Sequence, residues 1–201
     1  MTRTIEFIFD FGSPNAYFAN RVLPEIAERT GARLVYTPCL LGGIFKATGN
    51  QPPMVAFGGV KGKMEYEQRE IERFLTKHSI HEFQFNPHFP VNTLMLMRGA
   101  IVAERNGDLD RYIAAGLYHM WEDPKKMDDP DTFVAAMTAS GFDGADLLHE
   151  TQDPEIKQKL VQNTEAAVER GVFGIPTFFV GEEMFFGKDR LLQVEEELMS
   201  H

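Results

Sequence analysis

Ser13 stands where the run Phe7-Ile8-Phe9-Asp10-Phe11-Gly12 gives way to Pro14-Asn15-Ala16-Tyr17. There an apolar strand pattern breaks into a helix whose first full residue is Pro14. A polar group at that point faces the unpaired amides of a helix start, which favour anions and thiolates. Alone, the serine reads as an N-cap. The same junction is where one class of domain carries the first cysteine of a Cys-x-x-Cys pair, and this chain has Ser13-Pro14-Asn15-Ala16 in its place.

Two distant segments carry related signals. In Gly171-Val172-Phe173-Gly174-Ile175-Pro176-Thr177 a proline introduces an apolar strand. Proline is normally excluded from within a sheet, so Pro176 marks a strand start. A cis bond there would expose the Ile175 backbone as an edge for a peptide-like ligand. Phe186-Gly187-Lys188-Asp189-Arg190 sets two cations and an anion in one turn. On its own that is a solvated turn with Asp189 as helix N-cap.

Other reactive residue types lead nowhere. Cys39 is the single cysteine; it excludes an intramolecular disulfide or a cysteine-cluster metal site and reads as a small buried hydrophobe. His78, His81 and His88 lack a metal-ligand spacing on one helix face, so no metal is expected. Gly58-Gly59-Val60-Lys61-Gly62-Lys63 resembles a phosphate loop only superficially. Phe57 stands where the first glycine belongs and Met64 where Ser or Thr belongs. Met95, Met97, Phe178, Phe179, Phe185 and Phe186 read as core.

The elements that position these residues follow from periodicity. Residues 4–11 form a strand pattern, 14–30 a helix stopped by Gly31, and Arg33-Leu34-Val35-Tyr36 a second strand stopped by Pro38, which together make a βαβ unit. Helical patterns follow at Lys63–His78, Thr93–Arg105, Leu109–Trp121, Pro130–Ser140 and near Ala145–His149. Pro154–Arg170 is a long helix with Asp153 as N-cap. Pro176–Val180 and Met184–Phe186 make a hairpin around the turn Gly181-Glu182-Glu183, and Asp189–Met199 closes the chain as a helix. The predicted fold class is α/β: a thioredoxin-like domain over 1–58 and 152–201, interrupted by a helical insertion domain over 59–151.

At 201 residues, 43% hydrophobic and 25% charged, the composition is that of a globular domain. The net charge of −10 with scattered Lys and Arg argues against a nucleic-acid surface, and an anionic ligand needs a local positive site. No apolar run approaches the roughly 18 residues of a membrane span. The start of the chain lacks a signal-peptide pattern, which leaves the cytoplasm as the expected compartment.

Five segments in order carry a family resemblance. They are Phe9-Asp10-Phe11-Gly12-Ser13-Pro14-Asn15-Ala16-Tyr17, Leu40-Leu41-Gly42-Gly43-Ile44-Phe45-Lys46-Ala47-Thr48-Gly49-Asn50, Phe89-Pro90-Val91-Asn92-Thr93, Phe173-Gly174-Ile175-Pro176-Thr177 and Phe186-Gly187-Lys188-Asp189-Arg190-Leu191. Across essentially its whole length the chain resembles the DsbA-like thioredoxin family, and within it the 2-hydroxychromene-2-carboxylate isomerases and the kappa-class glutathione transferases. The resemblance implies glutathione as cofactor and a small aromatic molecule as substrate, and it is compatible with a homodimer. It implies that Ser13 donates to the glutathione sulfur and that the Ile175 backbone before Pro176 pairs with the cysteinyl part. Asp189 would then hold the γ-glutamyl ammonium, Lys188 a carboxylate, and Asn50 a further glutathione contact. Lys46, Tyr66 and Phe89 are the implied substrate contacts, with Phe45 competing for the place of Lys46. The implied reaction is cis-trans isomerisation through reversible thiolate addition. A kappa-like transferase or peroxidase, or a non-catalytic thiol-binding protein, is the alternative.

Overall fold

The computed structural model describes residues 3–200. Strand β1 (Thr4–Phe9), helix α1 (Pro14–Thr30) and strand β2 (Arg33–Pro38) form the expected βαβ unit, with β1 and β2 parallel and Phe7 opposite Tyr36. Strand β3 (Thr177–Val180) pairs antiparallel with β1, and β4 (Glu183–Phe186) antiparallel with β3. The sheet order is therefore β2-β1-β3-β4.

The pleat sorts side chains between the two faces of this sheet. Phe7, Phe9, Tyr36 and Phe178 share one face through ring contacts, and the Tyr36 hydroxyl donates to Asn20 of α1 at 2.8 Å. On the other face Arg170, just past helix α9 (Pro154–Glu169), pairs with Glu6 at 2.8 Å and covers the Phe179 ring.

Helix α1 begins as its sequence requires. Pro14 occupies the first turn, where a missing N–H costs nothing, and the Ala16 N–H donates to the Ser13 hydroxyl oxygen. It ends at Gly31, whose φ of +66° suits a residue without a Cβ.

Between β2 and α9 run α2 (Leu41–Thr48), α3 (Pro53–Phe57), α4 (Lys63–Lys77), α5 (Leu94–Asn106), α6 (Leu109–Trp121), α7 (Pro130–Ala139) and α8 (Gly144–Glu150). Helices α2 and α3 were not expected. The Gly42-Gly43 pair weakens local helix propensity in α2, and its first N–H is satisfied from outside, by Asp10. The final stretch also differs from expectation. Residues Lys188–Arg190 form a short 3₁₀ turn before helix α10 (Leu191–Met199), so Asp189 is inside the turn rather than a helix N-cap.

The central helices are attached to α1 by an aromatic cluster. Phe18 meets Phe83 at 4.7 Å and Phe74 at 5.9 Å between ring centroids, while Phe83 also touches Tyr17 and Trp121. This packing makes α1 the common wall of both parts.

Candidate functional site

Ser13 is buried at the start of α1, and its hydroxyl is bonded on both sides. It accepts from the Ala16 N–H at 3.2 Å and donates to the Ile175 carbonyl at 3.1 Å, across 162 residues of sequence. The Ile175-Pro176 bond is cis. Among the described residues the Ile175 N–H finds no acceptor. Asn15, two residues beyond Ser13, holds a buried Oδ1 that likewise has no partner.

A buried carboxylate underlies this junction. Asp10 is fully enclosed and accepts the N–H groups of Gly12 and Leu41, each at 2.8 Å. Thr93 supplies a further side-chain hydrogen bond, and burial still raises the Asp10 pKa above its ordinary value. A Cβ on Gly12 would sit 3.1 Å from Thr93 Cγ2 and 3.3 Å from Asp10 Oδ1. One carboxylate thus gathers the start of α1, the start of α2 and the loop before α5. Nothing in the sequence reading selected Asp10 or Thr93, although a charged residue closing an apolar strand was the available signal.

The backbone before Ser13 is clamped from the side. Trp121 Nε1 donates to the Phe11 carbonyl at 2.8 Å. The Phe11 ring rests where a Cβ on Gly116 would come to 2.5 Å. Phe89 reaches this region indirectly, its ring 6.3 Å from Trp121 and 5.2 Å from Phe85.

The proline loop is tied to both neighbouring candidate segments. The Gly187 N–H donates to the Pro176 carbonyl at 2.9 Å, which brings the Lys188-Asp189 turn beside the Ile175-Pro176 edge. Asn50 Nδ2 donates to the Phe173 carbonyl at 2.7 Å. Its side chain therefore braces this loop.

Lys188 differs from the solvated cation expected of a turn. It is 6% exposed, its Nζ lies 2.6 Å from Asp189 Oδ1, and it sits 5.0 Å over the Phe74 ring. The Asp189 side chain remains exposed. Phe186 also departs from the core role expected of it. It is 41% exposed, as Phe173 is at 39%, and the two rings meet at 4.6 Å. They form an open aromatic surface beside the loop that contacts Ser13.

Ser13, Ile175, Pro176, Asn50, Lys188 and Asp189 are thus linked through one loop and its hydrogen bonds. Lys46 and Tyr66 are not part of that network. Lys46 is exposed in the last turn of α2. Tyr66 is exposed on α4, where the Lys63 ammonium lies over its ring.

Cys39 is fully buried with its Sγ toward the Asn163 carbonyl. Burial first, then the Asp10 and Glu6 charges, pushes its thiol up to about 12, so it stays protonated near neutrality. Among the described residues no group of three or more His, Cys, Asp or Glu side chains is placed to hold a metal ion, and no helix is long and apolar enough to cross a membrane.

Comparison with known proteins decides the family. The model of the DSBA-like thioredoxin domain matches residues 4–199. The chain belongs to the DsbA-like thioredoxin family. It is 29% identical over 99% of its length to a 2-hydroxychromene-2-carboxylate isomerase of Sphingobium xenophagum, all of which is covered. It is 26% identical to glutathione S-transferase kappa 1 of Homo sapiens, over 100% of this chain and 91% of that one. A solved 2-hydroxychromene-2-carboxylate isomerase superposes with a TM-score of 0.83 at 26% identity, covering 97% and 94% of the two chains. This member of the DsbA-like family has serine and alanine at positions 13 and 16.

Proposed function

We propose that this protein is a glutathione-dependent cis-trans isomerase acting on 2-hydroxychromene-2-carboxylate or a similar unsaturated aromatic keto acid. The observation that carries the reading is the buried Ser13 hydroxyl at the start of α1, donating to the carbonyl before the cis Pro176. The names of the relatives support the substrate class.

The residues present fit glutathione on this chain's own chemistry. The free Ile175 N–H and its carbonyl offer the donor and acceptor of an extended peptide edge. The orphaned Asn15 Oδ1 offers a further acceptor, and the exposed Asp189 carboxylate an ammonium partner. Asn50, with one amide hydrogen on Phe173, has a second to give. Lys188 fits less directly, because its ammonium is buried on Asp189; its part is to fix that carboxylate.

Glutathione, when bound, supplies the sulfur nucleophile that adds to the unsaturated carbon and leaves again. The chain's contribution is binding, orientation and charge. Ser13 has a single hydroxyl hydrogen, held by Ile175 in the free protein. Turning it toward a bound thiolate releases the Ile175 carbonyl to accept from the ligand backbone, so hydrogen bonds are exchanged rather than lost. The α1 N-terminus adds about 0.3–1 kcal/mol of preference for an anion, and each unit of thiol pKa depression corresponds to about 1.4 kcal/mol. Phe173 and Phe186 give an aromatic substrate a surface to lie against.

The test is isomerisation of 2-hydroxychromene-2-carboxylate followed with and without glutathione. Conversion that needs glutathione and falls about 10²-fold in kcat/KM in Ser13→Ala, the loss typical of one preorganised donor, is the expected result. No conversion in either condition removes this substrate.

The similarity to kappa-class transferases favours one second reading, conjugation of glutathione to an electrophile. An aryl halide assay run beside the isomerase assay separates the two. Thiol–disulfide exchange needs a cysteine at position 13, so insulin reduction by this protein should stay at the uncatalysed rate.

A further inference from the structure

A cleft of about 410 Å³ lies away from Ser13, between the second half of α1, the end of α4 and the start of α10. Its α1 residues begin at Val22, nine residues past Ser13 and so about 13 Å along the helix axis. The volume is within the ~300–1,000 Å³ of small-molecule pockets. The walls combine an apolar floor with a charged rim. Val22, Ile26, Phe74 and Leu191 are buried, and Leu192 is open to solvent at the edge.

The rim is unevenly charged. Its carboxylates Glu70, Asp189 and Glu195 are each already paired, with Arg73, Lys188 and Arg29 respectively. Glu25, outside the lining, adds a second carboxylate to Arg29. Lys77 is left without an ion pair or hydrogen bond among the described residues, beside His78, whose ring packs on Phe74 at 4.4 Å. An adjoining hollow shares Arg73 and Lys77 and adds Arg69 and Glu72. In a protein of net charge −10, a concave site that pairs off its carboxylates and leaves one lysine unpaired beside an apolar floor is less negative than the surface around it. It attracts what the rest of the surface repels.

We propose that this cleft binds a small amphipathic anion: an aromatic or alkyl body carrying one carboxylate or sulfonate, its apolar part on Phe74, Ile26 and Leu191 and its charge at Lys77. The cleft is argued without the glutathione reading, but it is lined by Lys188 and Asp189, which that reading also uses.

The experiment uses 2-naphthoate and its neutral counterpart 2-naphthalenemethanol, titrated into the full chain and followed by methyl and amide NMR shifts. The expected result is preferential binding of the carboxylate, with shifts centred on Val22, Ile26, Leu191 and Leu192. The surface variant Lys77→Gln should weaken it about fivefold, the upper range for one exposed ion pair. Leu192→Glu should weaken it about tenfold or more, through lost apolar contact and added repulsion. Both side chains are exposed, so the fold should tolerate the changes, and circular dichroism checks that it does. Ser13→Ala should leave the affinity unchanged. The proposal is overturned by absence of binding at millimolar naphthoate, by equal binding of the neutral compound, by shifts centred on Gly12 and Ser13, or by affinities that neither cleft variant alters.

Discussion

At the scale of single residues, Ser13 and Asp10 do different work within one turn of chain. In the proposed reaction Ser13 presents a hydroxyl that changes partners, whereas Asp10 is locked. Both of its oxygens receive backbone N–H groups, so Asp10→Asn points an amide donor at one of them. That should cost about 1–3 kcal/mol in urea unfolding. The pH dependence follows from the raised native pKa. The folded protein holds the Asp10 proton to higher pH than the unfolded chain does. Asp10 therefore costs nothing well below its ordinary 3.8, and its cost grows as pH rises through the window from 3.8 to the native value. Carboxylates with lowered pKa values, such as Glu195 and Asp129, act in the opposite sense. The Asp10 contribution is therefore read from the difference between wild-type and Asp10→Asn melting curves across pH. A difference that is flat through that window would contradict the assignment.

At the scale of elements, the site depends on how closely helix α6 approaches the strand-to-helix turn. Gly116 lets the Phe11 ring lie against the helix, and a Cβ there would fall 2.5 Å from Phe11 Cε1. Gly116→Ala must displace either the ring or the helix, so it should destabilise by about 1–3 kcal/mol despite the better helix propensity of alanine. Because the Phe11 carbonyl is held by Trp121, the displacement should reach Ser13. The variant is then expected to lose kcat/KM in the isomerase assay even where it remains folded. Full activity with normal stability would show that the approach is looser than the geometry indicates.

At the scale of the whole molecule, the central helices and the sheet meet through aromatic side chains on α1. Phe18, Phe74, Phe83, Tyr17 and Trp121 form one contiguous set. Such an interface couples the two parts, so denaturant unfolding should be a single transition with coincident near- and far-ultraviolet dichroism. Phe83→Ala, which removes a ring touching three others, should lower stability by about 3 kcal/mol and is the change most apt to separate the probes. Two transitions in the wild type would mean that the insertion folds on its own.

What was legible from sequence had local causes. Pro14 and Gly31 bound α1 because a proline fits the first turn and a glycine fits positive φ. Gly181, at φ +59°, turns the hairpin that the flanking apolar runs announce. The five motif segments carried the family because each is a short contiguous string, and Ser13 with the Ile175-Pro176 edge could be named from them. Tertiary structure alone decided the rest. Helix α2 is held by a carboxylate 31 residues earlier, which offsets its glycines and which no window of sequence contains. Lys188 has the residue type of a solvent-exposed cation and is buried because Phe74, from the inserted helices, closes over it. Phe186 has the type of a core residue and is exposed because β4 is an edge strand. Local propensity and caps act over a few residues, whereas burial and non-local hydrogen bonds depend on which surfaces the fold brings together.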